Sequence, residues 1–82
     1  MLKRKTVAIN DIYVPVKRRQ ALDSTKVAAL AESILAKGQE APILVREDGT
    51  RFVLVEGLHR LEACRALGET TVSAYLVQAR QH

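Results

Sequence analysis

The chain has a single cysteine, Cys64, in 82 residues, so it cannot close an internal disulfide. Its stability must come from packing alone, as expected of a protein kept in a reducing cytosol. It has no tryptophan and one phenylalanine, which leaves no aromatic platform on which single-stranded nucleic acid could stack. The longest unbroken apolar runs are only a few residues, far short of the ~20 that a membrane-spanning helix needs. Behind the basic start Met1-Leu2-Lys3-Arg4-Lys5 there is no apolar stretch of the ~7–15 residues found in a secretory signal. Internal repeats and low-complexity stretches are also missing. What remains is an ordinary globular balance, 27% charged and 48% apolar, which argues against both wholesale disorder and a coiled coil. The length suffices for one core, so residues 1–82 are expected to form a single domain.

Thirteen Lys+Arg stand against nine Asp+Glu, a formal charge of +4. The excess is clustered in Lys3, Arg4 and Lys5 and again in Lys17, Arg18 and Arg19, while the rest of the chain is nearly balanced. Such clusters attract anions at long range, phosphate above all, and these six residues are the candidate contacts to a nucleic-acid backbone. A solvated, solubilising surface explains them equally well.

The order of elements is legible from hydropathy and punctuation. Thr6-Val7-Ala8-Ile9 is a short β-type run broken by Asn10-Asp11. Ile12-Tyr13-Val14 is extended, because the residue before Pro15 avoids the helical region. Residues 16–22 read as a basic loop. At Asp23-Ser24 either side chain can accept a hydrogen bond from the first turn of a helix. From there Val27, Leu30, Ala31, Ile34 and Leu35 make one apolar stripe, ended at Gly38. Pro42–Arg46 and Arg51–Glu56 read as strands joined through Asp48-Gly49, a hairpin signal in which both turn residues take positive φ. Four successive apolar positions in the second of these strands predict an interior place in the sheet. Gly57 ends it, a second helix carries Leu58, Leu61, Ala63, Cys64, Ala66 and Leu67 up to Gly68, and residues 70–77 alternate as a last strand. The expected fold is α+β in the order β-α-β-β-α-β, with a mixed sheet and two main helices.

Chemistry concentrates at Val55-Glu56-Gly57-Leu58-His59-Arg60. A buried strand passes through one glycine into a helix whose first N–H groups lack intrahelical partners and sit at the positive end of the dipole. Gly57 has no Cβ to keep a ligand from the backbone. Arg60 offers a planar fork of donors matched to phosphate oxygens, and His59 offers one or two more. A tight turn with a solvated arginine and a capping histidine accounts for the same spacing. Lys26 and Ser33, seven residues apart, share one stripe at the edge of the first helix's apolar face, about 10 Å apart along the axis. Lysine there can neutralise a phosphate and serine can hydrogen-bond it, unless both are ordinary surface positions.

The run Leu22-Asp23-Ser24-Thr25-Lys26-Val27, with Leu30, Ser33-Ile34, Gly38, Pro42-Ile43, Val45, Gly57-x-His59-Arg60, Ala63 and Thr71-Val72-x-Ala74-x-Leu76-Val77, resembles the ParB/sulfiredoxin superfamily across residues 6–78. Glu32-Ser33-Ile34, Gly38, Pro42-Ile43 and Val45-Arg46 are similar to the ParB N-terminal domain. The Lys26 spacing, His59 and the last strand are more similar to sulfiredoxin. The resemblance implies a nucleotide-binding pocket, in a chain whose single cysteine already points to the cytoplasm. In sulfiredoxins the residues matching Lys26, Ser33 and His59-Arg60 hold ATP phosphates, and in ParB proteins a Gly-x-Arg-Arg form of the loop holds CTP. The implied ligand set is therefore Lys26, Ser33, Gly57, Leu58, His59 and Arg60, and the implied cofactor is ATP, ADP or CTP, with or without Mg2+.

Two departures matter. A sulfiredoxin serine contact three residues after the lysine is Ala29 here, and the catalytic cysteine before the His-Arg pair is Leu58. Leucine offers no thiolate, so sulfinic acid reduction by that route is excluded. Cys64, on the apolar side of its helix, is expected to be inert packing. Metal and hydrolytic sites are poorly supported. His59 with Glu62 makes two ligands at most, His82 is a chain end, and one histidine assembles no Ser-His-Asp arrangement. Among Asp11, Asp23, Glu56 and Glu62 no pair is spaced to hold two Mg2+ ions, and Glu56 is the least poor candidate base. The leading expectation is a nucleotide-binding switch or weak NTPase linked to DNA or plasmid processes, as monomer or homodimer. The alternatives are nonspecific duplex binding and a ParB-like nuclease.

Overall fold

Nine elements follow one another along the chain in the computed structural model, which describes residues 2–38 and 41–78. They are β1 (Lys3–Ala8), a 3-10 turn (Ile9–Asp11), β2 (Ile12–Tyr13), α1 (Val16–Arg19), α2 (Ser24–Lys37), β3 (Ile43–Asp48), β4 (Arg51–Glu56), α3 (Leu58–Ala66) and β5 (Thr71–Val77). The strands form one mixed sheet in the order β1-β5-β3-β4-β2. β5 lies antiparallel to β1 and parallel to β3, β3 and β4 form the antiparallel hairpin, and β2 runs parallel to β4. The α+β architecture with a mixed sheet is thus as the sequence predicts, with β2 and α1 added. His82 lies outside the described residues.

Register builds the core. Val7 stands opposite Val72, Ile43 opposite Ala74, and Val45 opposite Leu54, so one face carries a continuous apolar row across four strands. Leu58, Leu61 and Cys64, spaced three apart on α3, close onto this row together with Ile9, Ile12 and Val14. Each large aliphatic side chain so buried contributes about 1.5–3 kcal/mol. β4 is interior, as its run of apolar residues predicts.

α2 begins where Asp23 caps it. The carboxylate Oδ1 accepts the N–H groups of Thr25 at 2.9 Å and Lys26 at 3.4 Å. The helix ends at Gly38, whose positive φ no other residue adopts cheaply. Its apolar stripe is shallower than periodicity suggests. Val27, Leu30, Ala31 and Ile34 are half-buried, but Leu35 is 74% exposed. α2 packs against α3 rather than across the sheet, so its buried arc is narrow and Leu35 falls outside it.

Three further expectations are corrected. Residues 16–22 are not a simple loop. Pro15 presets its φ, and its carbonyl accepts the N–H of Arg18 at 2.9 Å and of Arg19 at 3.1 Å, winding α1. β1 starts at Lys3 rather than Thr6, because pairing with β5 continues to Lys3 opposite Leu76; lysines on an edge strand also discourage pairing with another chain. The hairpin turn is Gly49-Thr50 between the paired Asp48 and Arg51, and only Gly49 has positive φ. This is the φ pattern of a turn with glycine first, rather than the two-positive Asp-Gly turn. Asp48 is left to pair with Arg51 at 3.1 Å.

Candidate functional site

The junction between β4 and α3 is built around Gly57, which adopts φ +109° and ψ +32°. A Cβ at this position would lie 2.7 Å from Cγ2 of Ile43 and 2.9 Å from its Cβ. Left-handed backbone and contact with β3 both demand glycine here, whatever binds nearby. α3 then starts abruptly. The Leu61 N–H bonds the Gly57 carbonyl at 2.9 Å, which leaves the N–H groups of residues 58–60 as the unsatisfied donors of the first turn.

A cleft of about 700 Å³ opens over this turn. Its polar wall is Lys17, Arg18, His59 and Arg60; its apolar wall is Ala21, Leu30 and Leu58, with Gly57 at the base. Arg60 is half-buried, and among the described residues no side-chain hydrogen bond or ion pair engages Arg60, Lys17 or Arg18. Leu58 is 8% exposed and belongs to the core as well as to the cleft. His59 Nε2 accepts the backbone N–H of Asp23 at 3.0 Å. An accepting Nε2 places the proton of the neutral ring on Nδ1.

Lys26 and Ser33 do not line this cleft. They border a neighbouring depression of about 390 Å³ with Ala29, and the two hollows meet at Leu30 and His59. The second basic cluster divides. Lys17 and Arg18 join the cleft, whereas Arg19 Nε donates to the Val14 carbonyl at 3.1 Å and faces a different hollow. The sequence reading grouped all three as backbone contacts to nucleic acid. The signal it passed over was Pro15, which favours a helical start for the residues after it. The first cluster lies on β1, whose alternation divides Arg4 from Lys3 and Lys5. Arg4 Nε donates to Ser73 Oγ at 3.1 Å, and Lys5 Nζ sits 5.7 Å from the Phe52 ring centroid.

Two of the candidate carboxylates are engaged. Asp23 caps α2, and Glu62 pairs with Arg65 at 3.4 Å away from the cleft. Among the described residues no three His, Cys, Asp or Glu side chains gather as a metal site. Cys64 is 1% exposed, and burial pushes its thiol above the ordinary 9.0, against a smaller downward pull from Arg60. No helix among the described residues is long and apolar enough to cross a membrane.

Sheet order, helix placement and the strand-glycine-helix junction define a ParB/sulfiredoxin-like α+β domain. Sulfiredoxin from Arabidopsis thaliana superimposes with a TM-score of 0.83 at 28% identity, over 94% of this chain and 86% of that one. A C-terminally truncated chromosome-partitioning protein ParB from Caulobacter crescentus, solved with CTP-gamma-S, superimposes with a TM-score of 0.81 at 24% identity, over 96% of this chain and 46% of that one. The chain belongs to the ParB N-terminal domain family, whose model it matches over residues 2–82. A probable chromosome-partitioning protein ParB of Neisseria meningitidis is 36% identical over 73 residues, 87% of this chain. The ParB of Myxococcus xanthus is 41% identical over 56 residues, 68% of this chain. The chain spans 26% and 19% of these two relatives' own lengths.

Proposed function

We propose that this domain binds a nucleoside triphosphate, CTP or ATP, with the phosphates over the first turn of α3. The observation that carries the reading is the convergence of three unpaired cations, Lys17, Arg18 and Arg60, on a cleft floored by the free N–H groups of residues 58–60. Each cation within about 4 Å of a phosphate is worth about 4 kcal/mol of Coulomb attraction at an effective dielectric near 20, before desolvation is subtracted. His59 adds its Nδ1–H, and Gly57 and Leu58 contribute backbone. Lys26 and Ser33 extend the site through the adjoining hollow, where a base or ribose would reach past His59. The C. crescentus protein, which shares this fold over 46% of its length, was solved in complex with CTP-gamma-S, and this supports the reading. Isothermal titration tests it: CTP or ATP binds the wild type and fails to bind Arg60→Ala, while equal binding by both removes the cleft from the account.

A second reading is contact with duplex DNA. It is supported by the chromosome-partitioning relatives and by the exposed Lys3, Arg4, Lys5, Lys17, Arg18 and Arg19. Such contact would be sequence-independent and steeply weakened by salt. Because Lys17 and Arg18 serve both ligands, triphosphate should compete with DNA. DNA binding that is unaffected by nucleotide and persists at high salt would reject this version.

A further inference from the structure

We propose that the cleft holds its polyphosphate as the bare anion, without a divalent cation. This rests on the nucleotide-binding reading and concerns the ionic form of the ligand. The argument is a census of what faces the cleft. Lys17, Arg18 and Arg60 are permanent donors with no lone pair to offer a metal. Among the described residues, the only lining side chain with such a lone pair is His59, and its Nε2 is occupied by the Asp23 N–H at 3.0 Å. The floor is the unsatisfied N–H groups of α3.

No carboxylate lines the cleft among the described residues. Asp23 spends its Oδ1 on the N–H groups of Thr25 and Lys26, Glu62 is turned to Arg65, and Glu56 ends β4 outside the lining. Magnesium sites recruit oxygen ligands, usually one or two carboxylates beside the substrate phosphates. Among the described residues, every charged side chain that lines the cleft is a cation that only donates. A Mg2+ ion on the β- and γ-oxygens would compete with the guanidinium and N–H donors for the same lone pairs and would add positive charge to three cations already present. The site therefore discriminates in favour of the fully ionised triphosphate, its cations taking the neutralising part that a metal plays elsewhere.

The test is a calorimetric titration of the wild-type protein with CTP, ATP and inorganic tripolyphosphate. Each is run in EDTA and in excess MgCl2, with ionic strength matched by NaCl. Loss of one charge-assisted contact corresponds to roughly tenfold in affinity, so binding in EDTA should be about tenfold tighter than in Mg2+. Tripolyphosphate should show the same preference, since the discrimination acts on the anion and not on the base. Equal or tighter binding in Mg2+, abolished by Arg60→Ala, overturns the proposal and leaves the nucleotide-binding reading standing. Absence of triphosphate binding in both media overturns the two together.

Discussion

The imidazole Nε2 of His59 accepts the backbone N–H of Asp23 at 3.0 Å, tying the cap of α2 to the first turn of α3. The two residues belong to different helices, and the bond fixes which ring nitrogen carries the proton on the side of the cleft. Asp23 thus serves twice. Its carboxylate starts α2, and its amide orients the histidine.

Replacing His59 by alanine should leave the fold intact and cost about 0.5–1 kcal/mol, the net worth of one exposed hydrogen bond. The loss should be local, with faster amide exchange at Asp23 and in the following turn of α2 and little change in β3 or β5. Nitrogen shifts of the wild-type ring should report a protonated Nδ1 and a bare Nε2. A protonated Nε2 in the neutral ring would contradict the geometry.

Gly57→Ala should be the most damaging of the four glycine-to-alanine changes. Alanine must adopt φ +109° and place its Cβ 2.7 Å from Ile43 Cγ2. Left-handed backbone costs about 1–2 kcal/mol and overpacking about 1–3 kcal/mol, so urea unfolding should show a loss of roughly 2–5 kcal/mol. At Gly49 only the backbone term applies, since nothing lies within 4 Å of an added Cβ, and the loss should be smaller.

Arg18 and Arg19 are neighbours in sequence and should behave differently. Arg18→Ala removes a cation from the cleft and should weaken triphosphate binding about tenfold, as expected for one charge-assisted contact. Arg19→Ala should change affinity by less than about twofold, because its side chain is held at the Val14 carbonyl. Its effect should appear in thermal melting instead. Equal losses of binding would mean that α1 does not divide the cluster as described.

Cys64 should be nearly unreactive in the native protein. Burial holds its thiol above 9.0 and out of solvent, so little thiolate is present or accessible. Alkylation at pH 8 should be at least ~100-fold slower than in urea, since it waits on opening of the core. The linkage sign follows from the raised value. This group favours folding fully below pH 9, and the contribution is lost as pH rises through the folded-state pKa. Rapid labelling under native conditions would show that α3 is not packed as described.

Much of this was readable from neighbouring residues alone. Asp23 and Gly38 bound α2, Gly57 starts α3, the apolar run of β4 places it inside the sheet, and the alternation of Val72 and Ala74 marks the buried face of β5. Caps, breakers and periodicity act within a turn or two, so the sequence carries them in plain order. It misled where the partner was distant. β1 extends to Lys3 because β5 lies beside it, and Leu35 is exposed because α2 rests on α3.

By itself the sequence determined the order of the main helices and strands, the family, and the residue types available for an anion. The tertiary structure decided which of them meet. Lys17 and Arg18 share a cleft with Arg60 while Arg19 turns away, Lys26 and Ser33 open onto an adjoining hollow, and Gly57 owes its identity to Ile43 as well as to its own φ. The reason is physical: local preferences are set by a few covalent neighbours, but the meeting of side chains far apart in the chain depends on strand order and helix packing, which only the folded core selects.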